Sequence, residues 1–520
     1  MGYLAENPVR DYRDATRKLA AALGRKEVYD WLVDQGYFPE CYVLPPSFRV
    51  ERRPGRPCLH FRVPKKATNA KRYPVDETAC VEVHFPKSPL TDRTFGIMDP
   101  MLHNDIAFHM ARHWPRIAEA LIPVDSDVTS YSFPLPIDSA RPGELSDLRS
   151  GRMIYEYLGM IDDDLAAIAY RYKYIVRTDI KNFYPSIYTH SLSWALEGKA
   201  AARAAKNDFR LLGNRLDRLF QRVNDGCTNG IPIGPVVSDL AAEIIASAVD
   251  RSLTQAVRKA GITCEVVRFK DDYRFLVRSE EDGAHLVKLL QAALKEYSLE
   301  VSESKTSIQR LPEGLFREWA SRYHAVLPKT PKTFSWKTFR ELYLAVLEID
   351  SDLPGTGVID RFLADLVSSD GHFKVTLWSG GLQKALSMLL MLGSRRVKAF
   401  PKVMAIIESV YRSPFGILHT TAIVEYLEEY LDSLAQDEER NRYLIAWIGY
   451  FLVSNKLVGQ LSARPSLSDT ITRSVFANRS FLFTNRRDYK LFKGAVTVGK
   501  QVSMLQHLDL FNPPDLTQEA

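Results

Sequence analysis

The sequence predicts an α+β domain followed by an all-α region, and two observations carry that expectation. From Tyr155 to Ile308, short runs rich in β-branched and aromatic residues alternate with stretches whose apolar residues recur every three to four positions. After about Pro312 the strand signals nearly vanish, and one helical segment follows another across short breaks, most containing Gly, Pro or Ser. At roughly 150 residues per domain, a chain of 520 residues implies about three domains. The expected extents are 1–100, an N-terminal helix and basic region; 101–311, the α+β domain; and 312–520, the helical region.

Taken in order, Asp11 to Asp34 reads as helix, with Leu19, Leu23, Val28, Trp31 and Leu32 near a 3.6-residue period. Phe38 to Pro89 is rich in Pro, Arg and short alternating runs such as Cys58-Leu-His-Phe-Arg-Val63, which read as strands and loops. Asp99 to about Ala120 is helical, and Pro134-Leu-Pro136 is a connector. Tyr174 to Ile180 is a short strand. His190 to Leu196 and Asn207 to Val223 are helical, and Ser238 to Ala256 is a strongly apolar helix. Glu265 to Val277 is a hairpin, and Gly283 to Tyr297 is a helix with Leu286, Leu289, Leu290, Ala293 and Leu294 on one side. The array that follows comprises Phe339 to Ile349, Val358 to Val367, Leu382 to Leu392, Lys398 to Arg412, Thr421 to Ala435 and Arg440 to Val453. It is of solenoid character, although no sequence repeat fixes a period.

Composition excludes several classes. Apolar residues make up 46% and charged residues 25%, ordinary globular usage that argues against disorder. Cys41, Cys58, Cys80, Cys227 and Cys264 are scattered without a CxxC pair or a His at metal spacing. A disulfide framework or a zinc site is therefore not expected. The opening residues lack the apolar core of a signal peptide, and the longest apolar run, about Tyr443 to Val453, falls short of the ~20 residues of a membrane span. A cytoplasmic chain with no membrane partner is the expectation. Net charge is +6, from 69 basic and 63 acidic residues, which does not by itself identify a nucleic-acid binder. Locally, Arg49 to Arg72 holds Arg49, Arg52, Arg53, Arg56, His60, Arg62, Lys65, Lys66, Lys71 and Arg72 against the single acid Glu51. That stripe suits either a phosphate backbone or a solvated surface.

Three segments satisfy one mechanism together. In Arg177-Thr-Asp-Ile-Lys-Asn-Phe-Tyr-Pro-Ser-Ile-Tyr188, Asp179 ends an apolar strand and leads into a turn and helix; alone, it would more often be a helix cap. In Val266-Val-Arg-Phe-Lys-Asp-Asp-Tyr-Arg-Phe-Leu-Val277, two β-rich runs flank Asp271 and Asp272 at the tip of a hairpin. Asp favours turns, but two adjacent like charges repel, and a hairpin that keeps both carboxylates suggests a bound cation. Between them lies a glycine-punctuated loop, Asn229-Gly-Ile-Pro-Ile-Gly-Pro-Val-Val-Ser238. Phosphoryl transfer between nucleotides is commonly run by two Mg²⁺ ions about 3.5–4 Å apart, held by hard oxygen ligands. Asp179 and Asp271 are the candidates to bridge both ions, and Asp272 is a peripheral ligand. The run Asp162-Asp-Asp164 reads as a helix start or solvated face rather than a metal site.

Asp-x-x-x-Phe-Tyr followed by a hairpin with x-x-Asp-Asp resembles motifs A and C of reverse transcriptases. The loop Asn229 to Ser238 resembles their motif B, and Leu299-Glu-Val-Ser-Glu-Ser-Lys-Thr306 their motif D. The resemblance covers about Leu135 to Leu311 and implies a right-hand fingers-palm core. It implies that Tyr184 is the aromatic steric gate against a ribose 2′-hydroxyl. It also implies that Lys305 protonates the leaving pyrophosphate, and that Pro232 and Gly234 shape the loop beneath the incoming nucleotide. Arg149, Arg152 and Lys173 are candidates to hold the triphosphate. The cofactor implied is Mg²⁺ or Mn²⁺, two ions, and the substrates are dNTPs. Two departures stand: Phe-Lys-Asp-Asp where most templated members have Tyr-x-Asp-Asp, and Ile233 where many have Gln.

Phe183 to Lys199, together with Gly36-Tyr-Phe-Pro-Glu40 and Leu44-Pro-Pro-Ser-Phe48, looks like bacterial abortive-infection (Abi) reverse transcriptases. That group carries a C-terminal array of helical (HEAT-like) repeats in place of the thumb. The resemblance implies anti-phage defence, untemplated DNA synthesis, a nascent single-stranded DNA attached to a tyrosine, and a homo-oligomer. None of the 24 tyrosines is singled out as the primer, and His190 and Trp194 read as packing residues. The alternatives are a templated enzyme working on an RNA and, last, an inactive palm used as a nucleic-acid-binding scaffold.

Overall fold

The computed structural model describes residues 7–53, 77–88, 91–146, 152–329, 332–368, 371–495 and 504. A mixed α+β region is followed by a predominantly helical one, as the pattern of periodicities implies. The α+β region is built on a sheet of β3 (Thr129–Ser130), β4 (Tyr174–Asp179), β5 (Cys264–Phe269), β6 (Asp272–Val277) and β7 (Ser307–Arg310). Their order is β3-β5-β6-β4-β7, with β3 parallel to β5 and the other pairs antiparallel. The two further described strands, β1 (Val81–Ser88) and β2 (Thr91–Ile97), form a separate antiparallel hairpin.

Side chains alternate across a strand, and here both faces of the sheet are covered. Val176, Val266, Phe275 and Val277 face one core, shared with the helices Val236–Ala260 and Glu280–Glu296. Ile175, Val267 and Leu276 face a second, with Ile161, Leu165 and Ile168 of the helix Arg152–Ile168. Double-sided burial explains why these strands read as near-continuous apolar runs.

One buried ion cluster ties sheet to helix. Arg268 on β5 has no solvent exposure. Its guanidinium donates to Glu243 at 2.8 and 2.9 Å and to Asp250 at 2.8 and 2.9 Å, both on the helix Val236–Ala260. Tyr273 Oη donates to the other Asp250 oxygen at 2.6 Å, and the hydroxyls of Ser130 and Ser132 donate to Glu243.

Several elements differ from the sequence expectation. The single helix expected over Asp11 to Asp34 is two, Pro8–Ala22 and Arg25–Asp34, because Gly24 is extended (φ −74°, ψ 144°). The helix over Asp99 to Ala120 breaks at His113, ahead of Pro115, into Pro100–Arg112 and Trp114–Leu121. Asn207 to Leu211 is a turn in which Asp208 Oδ1 accepts from the Arg210 N–H at 3.0 Å, and the helix begins at Leu212. Asp162 is neither a helix start nor solvated. It lies within Arg152–Ile168, 4% exposed, and accepts from Arg274 at 2.7 Å and Arg317 at 2.9 Å. The run Cys58 to Val63 and the stripe beyond Arg53 lie outside the described residues.

Each expected helix of the array is present: Trp336–Asp352, Val358–Asp365, Ser379–Arg395, Phe400–Arg412, Thr420–Ala435 and Glu438–Ser454. The short helices Glu318–Val326, Pro414–Leu418 and Thr470–Phe476 were not expected. The apolar core of this half also takes in Tyr37, Phe38, Tyr42, Phe48, Val83, Phe85 and Phe95 from the N-terminal segment. Tyr443 Oη donates to the Tyr42 carbonyl at 2.6 Å. The residues of Arg25–Asp34 and Pro100–Arg112 belong instead to the core of the sheet.

Replacing Arg268 by Met should destabilise the chain by about 3–5 kcal/mol, since Glu243 and Asp250 would be left buried without a cation. Chemical denaturation would check this, and a change below about 1 kcal/mol would mean that the cluster is not a structural tie. In the helical half, burial by itself would raise the Asp360 carboxyl. Lys402, Arg396 and Lys398 outweigh that and hold it at about 2. A depressed folded pKa adds stability above the unfolded value and loses it as pH falls through the folded one. Asp360→Asn should therefore be less stable by about 2 kcal/mol at pH 6. The gap to the unmodified chain should close between pH 4 and pH 2; a gap independent of pH would refute the ion-pair origin.

Candidate active site

The site forms where β4 and β6 run side by side. Asp179, the last residue of β4, is the register partner of Asp272, the first residue of β6. Direct cross-strand partners have Cα atoms about 4.5–5.5 Å apart. Asp271 precedes Asp272 in the two-residue turn, and its carbonyl accepts from the Ile180 N–H at 3.1 Å. The structure thus brings together the three carboxylates expected from the sequence.

The turn is held from below. Lys270 adopts a left-handed φ of +54°, unusual for a side chain with a Cβ. Its carbonyl accepts from Arg268 Nη1 at 3.0 Å, and its ammonium lies 3.5 Å from Glu40 Oε1. Glu40 Oε2 in turn accepts from Tyr42 Oη at 2.5 Å. Neither Arg268 nor Glu40 was singled out from the sequence. Arg268 could have been found as a charge within a β-rich run, where an ion partner is obligatory.

Lys305 closes the third side. It ends a short 3₁₀ turn, Glu303–Lys305, and its ammonium bonds the Asp179 carboxylate. The turn is anchored to the strand, with Ser302 N–H donating to the Asp179 carbonyl at 2.7 Å and Thr178 and Thr306 hydroxyls 2.8 Å apart.

Electrostatically the mouth is short of cations. Asp271 is raised by desolvation and then by repulsion from Asp179. Asp272 is pushed up to about 7, first by desolvation, then by Asp271 and Asp179, against weaker opposition from Lys305 and Arg274. For Lys305, partial desolvation acts downward, but the bond to Asp179 and the attraction of all three carboxylates win and raise it. Among the described residues, no group of three or more His, Cys, Asp or Glu side chains stands ready-made to hold a metal ion. The donor chemistry still fits a hard divalent cation: three carboxylates that repel one another, with a lysine as the countercharge.

The glycine-punctuated loop forms the floor. Ile231 N–H donates to the Tyr184 carbonyl at 3.1 Å and Gly230 N–H to the Ile187 carbonyl at 2.8 Å. On the other side, Gly96 N–H of β2 donates to Ile233 O at 2.9 Å, and Val236 N–H to Gly36 O at 2.8 Å. Contact here is close: a Cβ on Gly96 would come within 2.9 Å of Pro232 Cβ. Gly234 has φ +127°, a conformation that L side chains rarely adopt, and sits against Pro39 and Phe95. Tyr184 is partly buried and donates from Oη to Asp239 at 2.6 Å; desolvation and then Asp239 raise its pKa well above normal. Asp239, in the first turn of the helix Val236–Ala260, was missed because an acid there reads as an ordinary dipole partner.

Two other candidates are not brought in. Lys173 precedes β4 at the end opposite Asp179, its backbone bonded to Val277 and Leu311; six residues at about 3.3 Å each put it roughly 20 Å along the strand. Arg149 and the Arg152 side chain lie outside the described residues. His190 bonds Asp217 and stands edge-on to Tyr188, which in turn meets Trp194, in line with packing roles.

Cysteine chemistry is absent from this geometry. Desolvation pushes the thiols of Cys80 and Cys264 up to about 12, whereas Cys227 is exposed. Peptide mapping after brief maleimide treatment at pH 8 should find Cys227 modified well before either of the other two. Equal labelling would show that the partly buried thiols of Cys80 and Cys264 are accessible.

Residues 136–336 match the family described as reverse transcriptase (RNA-dependent DNA polymerase). No curated protein matches the chain. Solved structures with similarity include telomerase from Candida albicans in complex with a TWJ fragment of telomeric RNA. It is 13% identical with a TM-score of 0.29, over 77% of this chain and 64% of that one. Apo telomerase from Candida tropicalis is 10% identical with a TM-score of 0.31, over 74% and 70%. The chain spans less than two thirds of the first of these, and among the described residues no helix is long and apolar enough to cross a membrane.

Proposed function

We propose, from the match of residues 136–336 to the family described as reverse transcriptase, that this chain is a DNA polymerase acting on dNTPs in anti-phage abortive infection. The observation that carries the polymerase reading is the pairing of Asp179 with Asp272, beside Asp271, under Lys305. Asp179 and Asp271, with Asp272 beside them in a peripheral role, would hold two Mg²⁺ or Mn²⁺ ions. Bound there, the ions would activate the attacking hydroxyl and neutralise the leaving oxygen.

The remaining roles belong to the protein. Pro232 and Gly234 hold the loop close beneath the base of the incoming nucleotide, and Tyr184 fills the space of a ribose 2′-hydroxyl. The Lys305 side chain, more than half exposed, can leave Asp179 and give a proton to the departing pyrophosphate oxygen. The long helical region after the palm segment supports the abortive-infection branch. With it come untemplated synthesis, a nascent DNA strand attached to a tyrosine hydroxyl, and assembly into a homo-oligomer.

Purified protein incubated with labelled dNTPs and Mg²⁺ or Mn²⁺, without nucleic acid, should yield label that migrates with the protein and is released by protease. Synthesis only with an added primer and RNA template would replace the protein-primed reading by a templated one. Asp271→Asn should cut incorporation by on the order of 10³-fold or more, equivalent to about 4 kcal/mol of barrier, with its melting temperature kept. Undiminished activity in that variant would remove the carboxylate from the mechanism. Tyr184→Ala should admit ribonucleotides, and unchanged sugar discrimination would take Tyr184 out of the gate role.

A further inference from the structure

The basic stripe that starts at Arg49 meets a second basic run from the far end of the chain, Arg486-Arg-Asp-Tyr-Lys-Leu-Phe-Lys493. The two lie side by side. Glu51 and Arg52 N–H groups donate to Lys490 O at 2.7 and 3.2 Å, and Lys490 N–H returns to Arg52 O at 2.8 Å. Lys493 N–H donates to Ser47 O at 2.8 Å, and Arg52 Nη2 reaches Arg487 O at 3.5 Å. Phe48 and Phe492 turn inward, edge to face at 5.2 Å. Arg49, Arg52, Arg487, Lys490 and Lys493 turn outward and are exposed.

The acids do not balance this seam. Glu51 and Asp488 are the acidic residues within the two runs, and Glu51 lies 3.7 Å from Lys490. Arg53 and Arg486 are drawn inward, to Asp30 at 2.6 Å and Asp99 at 2.8 Å. The fold therefore holds five exposed cations along a joint made by backbone hydrogen bonds, against their mutual repulsion.

Beyond Lys493 lies a pair of arginines set against one aromatic ring. Asn478 Oδ1 accepts from Ala495 N–H at 2.7 Å. Beside it, the Arg473 and Arg479 guanidiniums stand 4.5 and 4.8 Å from the centre of the Phe481 ring. At the other end, Arg486 bonds Asp99, the cap of Pro100–Arg112, which follows directly on β2 and its contact with the nucleotide loop.

We propose that this seam binds a single-stranded polynucleotide along its phosphate backbone and leads it between the helical half and the palm. Its role as a path for template or product rests on the polymerase reading; the binding itself does not. A row of cations joined to an arginine–aromatic cluster is the chemistry that tracks phosphates and stacks unpaired bases. An acidic membrane would need apolar side chains to insert, and none of the large exposed hydrophobic residues among those described falls in 47–53 or 473–495.

The test is fluorescence anisotropy of labelled 20-nucleotide oligo(rU) and oligo(dT), with chelator and no dNTP, across a salt series. For Arg49→Gln/Arg487→Gln/Lys493→Gln, the slope of log affinity against log salt should shrink by about 2, at ~0.7 per phosphate contact on a single strand. Affinity near 0.1 M salt should fall about tenfold or more, with the melting temperature unchanged. Tighter binding of oligo(rU) would assign the seam to an RNA, and equal or tighter binding of oligo(dT) to the DNA strand. An unchanged slope and affinity in the triple variant, or displacement of the oligonucleotide by phosphatidylglycerol vesicles, would overturn the proposal. Asp271→Asn should bind like the unmodified chain, so a chain that fails to polymerise yet keeps its salt slope leaves the seam standing.

Discussion

Arg268 has no water to turn to, so its five N–H donors must all find oxygen within the protein. They find it in three places at once: Glu243, Asp250 and the carbonyl of Lys270. The first two sit on the helix that follows the glycine-punctuated loop, and the third is the turn that carries the candidate metal ligands. One guanidinium therefore fixes the distance between the glycine-punctuated loop and the hairpin opposite it. Because a half-satisfied buried ion cluster is far worse than either a complete one or none, the arrangement has no graded alternatives. The positions of Asp271 and Asp272 follow from it.

What the cluster holds in place is uncomfortable. Lys270 is kept in a left-handed conformation, and three carboxylates are gathered where desolvation and mutual repulsion raise two of them. Such local strain persists only when its surroundings over-determine it. Here they do: Arg268 grips the turn from beneath, Ile180 N–H binds the Asp271 carbonyl, and Ser302 N–H binds the Asp179 carbonyl. The backbone is committed before any ligand arrives, and Lys305 bonds Asp179 directly while only weakly offsetting the repulsion at Asp271 and Asp272.

The legible part of this site was the part written in local sequence. Asp179 at the end of an apolar strand and Asp271-Asp272 at the tip of a hairpin were each visible locally, and the shared metal chemistry and the motif resemblance joined them, since no turn links β4 to β6. The array of helices was legible for the same reason, through its 3.6-residue period. What stayed hidden was everything that depends on long-range partners. Asp162 looked like a solvated acid because Arg274 and Arg317 are 112 and 155 residues away. Asp239, Glu40 and Arg268 acquire meaning only once Tyr184, Lys270 and the buried carboxylates stand beside them. Lys173 shows the converse: near Asp179 in sequence, it is carried to the far end of the strand by the extended rise of β structure.

The aromatic residues Tyr37, Phe38, Tyr42, Phe48, Phe85 and Phe95 precede the five-stranded sheet in sequence, yet they are packed into the core of the helices that follow it. The chain thus begins in the first half, crosses into the second, returns to complete the first and then finishes the second. Such interleaving makes the two halves a single unit of inheritance. No single crossover between them could exchange one and leave the other whole, because the cut would separate an aromatic wall from the helices that keep it dry.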